Sequence, residues 1–148
     1  MFHTFHECRR SQRVWELTLA QWRSVTGEHK VVASNALITL LGDRSQTWLD
    51  DVEQSEYGAL AEPFAVIHKA TLHAIKRERD RDAAPNAKPR RTAQQVYESA
   101  QRLVRQAVQL RWAGALAAER TRTARSCWQQ PHSTLSRPMG GDRLCGHR

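Results

Sequence analysis

Long apolar runs are missing from this sequence. The longest stretch without a charged residue runs from Val31 to Gly42, and its 12 residues include Ser34, Asn35 and Thr39. A membrane-spanning helix needs about 18–20 apolar residues, so neither a span nor a membrane partner is expected. The opening MFHTFHECRR has no apolar segment of the kind a secretory signal carries. Cysteine is scarce. Cys8, Cys127 and Cys145 cannot build a disulfide framework and fit a reducing compartment, so an intracellular location, nuclear or cytoplasmic, is expected. Gly140–Gly141 has no Lys-Ser/Thr and no preceding strand, which excludes a phosphate loop. No Gly-x-Ser-x-Gly or other nucleophile framework is present, so the chain is not expected to be an enzyme on its own.

What the 148 residues do have is positive charge, unevenly placed. Residues 1–61 hold six basic and eight acidic side chains, whereas residues 62–148 hold 17 and seven. The excess is mostly arginine, whose guanidinium stays charged and grips two phosphate oxygens at once. A solvated helix face explains the same composition, so charge alone admits an anionic partner without requiring one.

The apolar spacing is helical nearly throughout and predicts an all-α fold, irregular, with one long C-terminal helix and a disordered tail. Val14, Trp15, Leu19, Trp22 and Val25 follow steps of three and four, with Gly27 placed to cap the helix end. Val31 to Leu41 reads as a short buried helix or strand, tilted toward helix. Ser45 to Leu60 reads as a further short helix, and Pro63 suits the first turn of the next. Phe64, Ile67, His68, Thr71, Leu72 and Ile75 form its stripe, which runs into the charged Lys76–Asp82. His68, inside that stripe, is expected to be a satisfied core histidine. Residues 83–91, with Pro85 and Pro89, form a linker. Thr92 and Gln95 make a capping box for a basic helix over 92–125. Its seam is Val96, Ala100, Leu103, Ala107, Leu110, Gly114 and Ala117, expected to pack on the preceding helix or on a partner helix. Gly114 is a point where that helix can break or bend. From Ser126 onward Pro, Gly, Ser and Arg dominate and disorder is expected.

The N-terminal segment carries His3 and Cys8 at a spacing that lets one turn offer imidazole and thiolate to a single zinc ion. His3-x-Phe5-x-x-Cys8, followed by basic residues and Val14–Trp15, resembles the zinc-binding region near the C-terminus of non-LTR retrotransposon polyproteins. Leu72-His73-Ala74-Ile75-Lys76-Arg77-Glu78-Arg79-Asp80 is similar to a following helix in that family, with Lys76 in place of the usual Trp and Asp80 in place of Asn. The resemblance implies that His3 and Cys8 are the third and fourth zinc ligands, Trp15 the helix aromatic and His6 a bystander. The family's Cys-x-x-Cys pair would precede Met1, so the metal site is incomplete and no tightly held zinc is expected. On this reading residues 1–82 are a knuckle remnant plus helical domain, in a truncated or decayed copy or a gene model that begins late. The parent's polymerase domain is absent. What the resemblance leaves for this chain is weak, sequence-tolerant binding of RNA or DNA, with Arg77, Arg79, Arg81, Arg90, Arg91, Arg102, Arg105 and Arg111 on phosphates.

Other motifs carry less. Trp48-Leu49-Asp50-Asp51 echoes a polymerase metal site but lacks flanking strands. Cys127, His132, Cys145 and His147 match no zinc spacing. Trp112 and Trp128 stand among arginines and could stack on bases, but Trp112 is expected to pack beside Val108 and Leu116 instead. The rival to nucleic-acid binding is a helical protein–protein module pairing through the 96–117 seam.

Overall fold

The computed structural model describes residues 3–47, 54–86 and 88–129, with side chains for 5–47, 58–86 and 88–123. These residues form an all-α structure. Helix α1 is Arg9–Thr26, α2 is Gln54–Asp82 and α3 is Ala93–Gln129. Two π-helical turns, His3–Glu7 and Leu37–Leu41, and a 3-10 turn, Ser45–Thr47, accompany them. Contacts divide the chain into two units, Met1–Leu110 and Arg111–Arg148. The buried core belongs to the first.

In α1 the predicted face is buried at Val14, Trp15, Leu19 and Trp22, and Ser11 and Thr18 are buried beside them. Val25, expected on that face, is 78 % exposed. The helix ends one residue later, where Gly27 takes φ +77 and its N–H caps the Arg23 carbonyl at 2.9 Å, and the chain turns away. The apolar segment that follows is neither a strand nor a regular helix. It makes two tight turns and then the Leu37–Leu41 turn, burying Val31, Ala33 and Ile38.

A buried ion pair fixes this segment to the helices. Arg44, its side chain 2 % exposed, meets the Glu28 carboxylate at 2.6 Å and lies over the rings of Phe64 (4.7 Å) and Trp22 (5.3 Å). Trp22 Nε1–H donates to the same carboxylate at 2.5 Å. An arginine removed from water needs both a counter-charge and polarisable neighbours, and Arg44 has both.

Of the helix expected over Ser45–Leu60, the first residues form a 3-10 turn and the last open α2. Only Ser45–Thr47 and Gln54–Leu60 are helical among the described residues, while Trp48, Leu49, Asp50, Asp51 and Val52 lie outside them. Pro63 is not in a first turn but well inside α2. The bond it forfeits would run to the carbonyl of Ala59, an exposed residue, where the cost of an unmade bond is small. Beyond it the predicted stripe holds. Phe64, His68, Thr71 and Ile75 are buried, and Ile67 and Leu72 pack half-buried against the core.

His68 is the satisfied core histidine the stripe predicts. Its Nε2–H donates to the Thr39 carbonyl at 3.0 Å, and its ring stacks on Trp15 at 5.4 Å between centroids. Burial is the main cause holding its pKa below the ordinary 6.5, because an imidazolium here would lose its water. The Thr39 carbonyl opposes that shift and Lys69 adds to it.

The capping box forms as predicted, with Thr92 N–H on Gln95 Oε1 (2.9 Å) and Gln95 N–H on Thr92 Oγ1 (3.2 Å). The seam of α3 is used unevenly. Val96 and Ala100 are sealed in the core and Tyr97 Oη–H donates to Gln21 Oε1 of α1 at 2.6 Å, but Leu110 is 74 % exposed. In the second unit Trp112 and Leu116 are exposed, so Trp112 does not bury itself against its neighbours. The helix does not break at Gly114 and extends through Ser126 to Gln129, past the expected end at 125. The remainder of the expected disordered tail, 130–148, lies outside the described residues, as do the side chains of Cys127 and Trp128.

Two measurements check this core. Gly42 takes φ +67, and a Cβ there would meet His68 Nδ1 at 3.0 Å, whereas a Cβ on Gly27 meets nothing within 4 Å. Gly27→Ala is expected to cost about 1–2 kcal/mol from left-handed strain alone, and Gly42→Ala more, by chemical denaturation. The depressed pKa of His68 means that the unfolded chain binds its proton first. The stability this group contributes is complete above 6.5 and declines as pH falls below it toward the folded-state pKa. Thermal midpoints should therefore drop between pH 7.5 and 5.5 (a window of about two units chosen around that value), and His68→Gln should flatten the drop.

Candidate nucleic-acid interface

Two basic clefts lie where α2 ends, the linker returns and α3 begins. The first, about 720 Å³, is lined by Arg77, Arg81, Lys88, Arg91 and Arg102 over Ala74, Ala84 and Leu103. The second, about 780 Å³, gathers Arg9, Arg10 and Arg13 from the start of α1 with Arg79 and Arg90. Of the predicted phosphate contacts, Arg77, Arg81, Arg91 and Arg102 thus share the first cleft, and Arg79, Arg90 and again Arg91 the second. Arg105 is exposed and lines neither, and Arg111 falls in the second unit.

Helical spacing explains the display. Arg77 and Arg81 are one turn apart on α2, so both reach the first cleft, while Arg79 emerges toward the second. The linker is held down by its own charges. Arg91 Nη1–H donates to Glu78 Oε1 at 2.7 Å and its Nη2 reaches Ser99 Oγ at 2.6 Å and the Gln95 carbonyl at 3.1 Å. Arg10 donates to Asp82 and, at 3.3 Å, to the Arg91 carbonyl.

Glu78 is the residue on which this arrangement turns, and it was read only as part of a charged helix exit. It is 3 % exposed, lies in the lining of both clefts, and its Oε2 has no hydrogen-bond partner. The signal was present: steps of four and three from Phe64 through His68, Thr71 and Ile75 arrive at Glu78 and then Asp82. The acids occupy the inward stripe, which leaves Arg77 and Arg79 on the outward faces. Arg9, Arg10 and Arg13 were also missed, because they stand in the half of the sequence with an acidic balance.

Guanidinium groups already saturated by carboxylates attract phosphate poorly, so partners matter. Arg91 and Arg10 are committed to structure, while Arg81 stands 3.9 Å from Glu78 and Arg90 4.0 Å from Asp82, each at the outer limit of an ion pair. Arg77 and Lys88 are exposed, and Arg79 is exposed beside Asp80, whose carboxylate it helps to hold below the ordinary range. Arg102 contacts only a neutral group, Ser99 Oγ, at 3.1 Å. Both clefts therefore pair fixed cations in their walls with available ones at their rims.

The metal ligands implied by the resemblance are differently placed. Cys8 is the N-cap of α1 and lines the second cleft. Its thiol is held below the ordinary 9.0, chiefly by the backbone N–H of Ser11, with burial opposing. The side chain of His3 lies outside the described residues. His6, a bystander to the ligand pair on that resemblance, shares a hydrogen bond through Nδ1 with Thr39 Oγ1 at 2.8 Å, and Gln12 holds its carbonyl. Among the described residues no three His, Cys, Asp or Glu side chains converge. A closed structural zinc site takes four ligands, and of the two implied here only Cys8 has a described side chain. Phe5 does pack on the core, and its carbonyl accepts the Trp15 indole N–H at 2.8 Å. Lys76 and Asp80, the two departures on the second matching stretch, form an exposed ion pair at 2.7 Å.

No helix among the described residues is long and apolar enough to cross a membrane. No protein-family model, curated protein or solved structure matches the chain.

The wall shared by the clefts can be tested directly. Arg91→Ala leaves the Glu78 carboxylate buried without its closest cation and should cost about 3 kcal/mol at neutral pH. Arg91→Ala combined with Glu78→Gln, which removes the stranded charge, should recover most of that loss in urea denaturation.

Proposed function

We propose that this chain is a small helical nucleic-acid-binding piece similar to the C-terminal zinc-binding region of non-LTR retrotransposon polyproteins, with no catalysis of its own. The observation that carries the reading is the convergence of Arg77, Arg81, Lys88 and Arg102 on one cleft, drawn from two helices and the loop between them. Separated in sequence, these cations meet only because the chain folds.

The action follows from elementary electrostatics. Rim guanidinium and ammonium groups meet phosphates and release condensed counterions, which supplies affinity without sequence choice. The Glu78–Arg91 pair keeps the cleft walls in place while one acid is shielded from the ligand. The N-terminal His-x-Phe-x-x-Cys segment serves here by packing Phe5 against Trp15, and no step needs a metal. RNA and DNA present the same phosphates, so both are expected to bind.

A second reading, pairing through α3, draws on the exposure of Leu110 at 74 % and of Trp112 at 67 %. One experiment separates the two. With a fluorescent 20-nucleotide probe (a length of about the usual single-strand site size or more), anisotropy should show affinity falling with salt at a log–log slope of about −3, for four contacts at about −0.7 each. Arg77→Ala with Lys88→Ala, both exposed positions, should make the slope shallower by about 1.4. Absence of binding at low ionic strength, together with a dimer that survives high salt in sedimentation, would replace the proposal with the pairing module.

A further inference from the structure

We infer that the first cleft takes a nucleotide unit of a single strand, base included, and so prefers single-stranded RNA or DNA to duplex. This inference rests on the nucleic-acid reading above and adds the form of ligand.

A surface that binds duplex phosphates needs only protruding cations. This cleft is concave, and its volume of about 720 Å³ falls in the range of pockets that enclose small organic ligands. A phosphate group alone leaves most of that space empty. Part of the lining is apolar, from Ala74, Ala84 and Leu103, and the acid in it, Glu78, would repel a second phosphate rather than hold one. The apolar part does offer a surface to the flat face of a base or to a ribose ring.

Polar groups at the margin complete the pattern. Asn86 and Gln106 line the cleft with carboxamides, which carry both donor and acceptor and match the mixed edge of a base. Arg77 and Arg102 supply planar guanidinium groups, which bind phosphate or lie flat against a base. The cleft lining contains no aromatic ring, so base contact would be apolar packing and guanidinium stacking. Bases in a duplex are stacked and paired and cannot enter such a pocket; those of a single strand splay out readily. Modest preference among bases is expected, since carboxamides on flexible stems adapt to more than one edge.

The test uses the full chain with matched 20-nucleotide probes, single-stranded and duplex (a length of about one or two single-strand sites), at one low salt concentration. The single strand should bind at least about tenfold more tightly, within the range that base contacts contribute. AMP should displace it at lower concentration than inorganic phosphate does. Gln106→Ala, at an exposed helix position, and Leu103→Ala should narrow the single-strand preference while leaving the salt slope unchanged, with circular dichroism melting reporting any loss of fold from Leu103→Ala. Equal affinity for duplex and single strand, or equal displacement by AMP and phosphate, would overturn this inference and leave phosphate binding standing. Failure of both probes to bind would remove the two together.

Discussion

A carboxylate kept from water at Glu78 grips a guanidinium that arrives from 13 residues further along, and the two clefts share that pair as their wall. Arg91 then reaches on to Ser99 and Gln95, so a single side chain ties the end of α2, the linker and the first turns of α3. A buried pair of this kind adds little net stability compared with apolar packing, but losing one partner strands the other. Its contribution lies in geometry. The linker contains two prolines and few apolar groups, and its path over the protein is set by charge rather than by burial.

Acids under the surface and bases upon it make up the electrostatic plan of the first unit. Glu28 neutralises Arg44 inside the core, Asp82 takes Arg10, and Glu78 takes Arg91. These arginines are structural. The exposed cations that remain stand at the rims of concave surfaces, where low-dielectric walls concentrate their field. Net charge from the sequence overstates how many basic groups a ligand meets and says nothing of where they meet it.

The sequence was most legible where one physical signal acted alone. Apolar spacing announced α1, the α2 stripe and the burial of His68; Thr92 and Gln95 announced the start of α3; Gly27 announced the end of α1. It was least legible where tertiary partners decided. Val31 to Leu41 has no single period because its residues are buried one at a time by different neighbours. Pro63 argued for a helix start, yet the helix runs through it at a point where the residue that loses its bond, Ala59, is exposed. Glu78 was hidden by its chemistry: a stripe that continues as Glu and Asp does not look like a stripe when only apolar residues are counted. The basic cleft was half visible, since Arg77, Arg81, Arg91 and Arg102 could be named from composition. The contribution of Arg9, Arg10 and Arg13 needed the fold.

Pro63 has an effect on how α2 holds together. A helix propagates through its ladder of backbone hydrogen bonds, and one rung is absent at this residue. Residues 54–62 are thus held by one backbone bond fewer than an unbroken helix would give them, with Leu60 packing on the core, whereas Phe64, Ala74 and Ile75 further along are buried in it. Opening these first turns would cost one backbone bond less than opening a proline-free helix, and Arg77, Glu78 and Arg81 lie more than three turns further on. Local melting at one end of this helix and rigid presentation of charge at the other are therefore compatible in the same element.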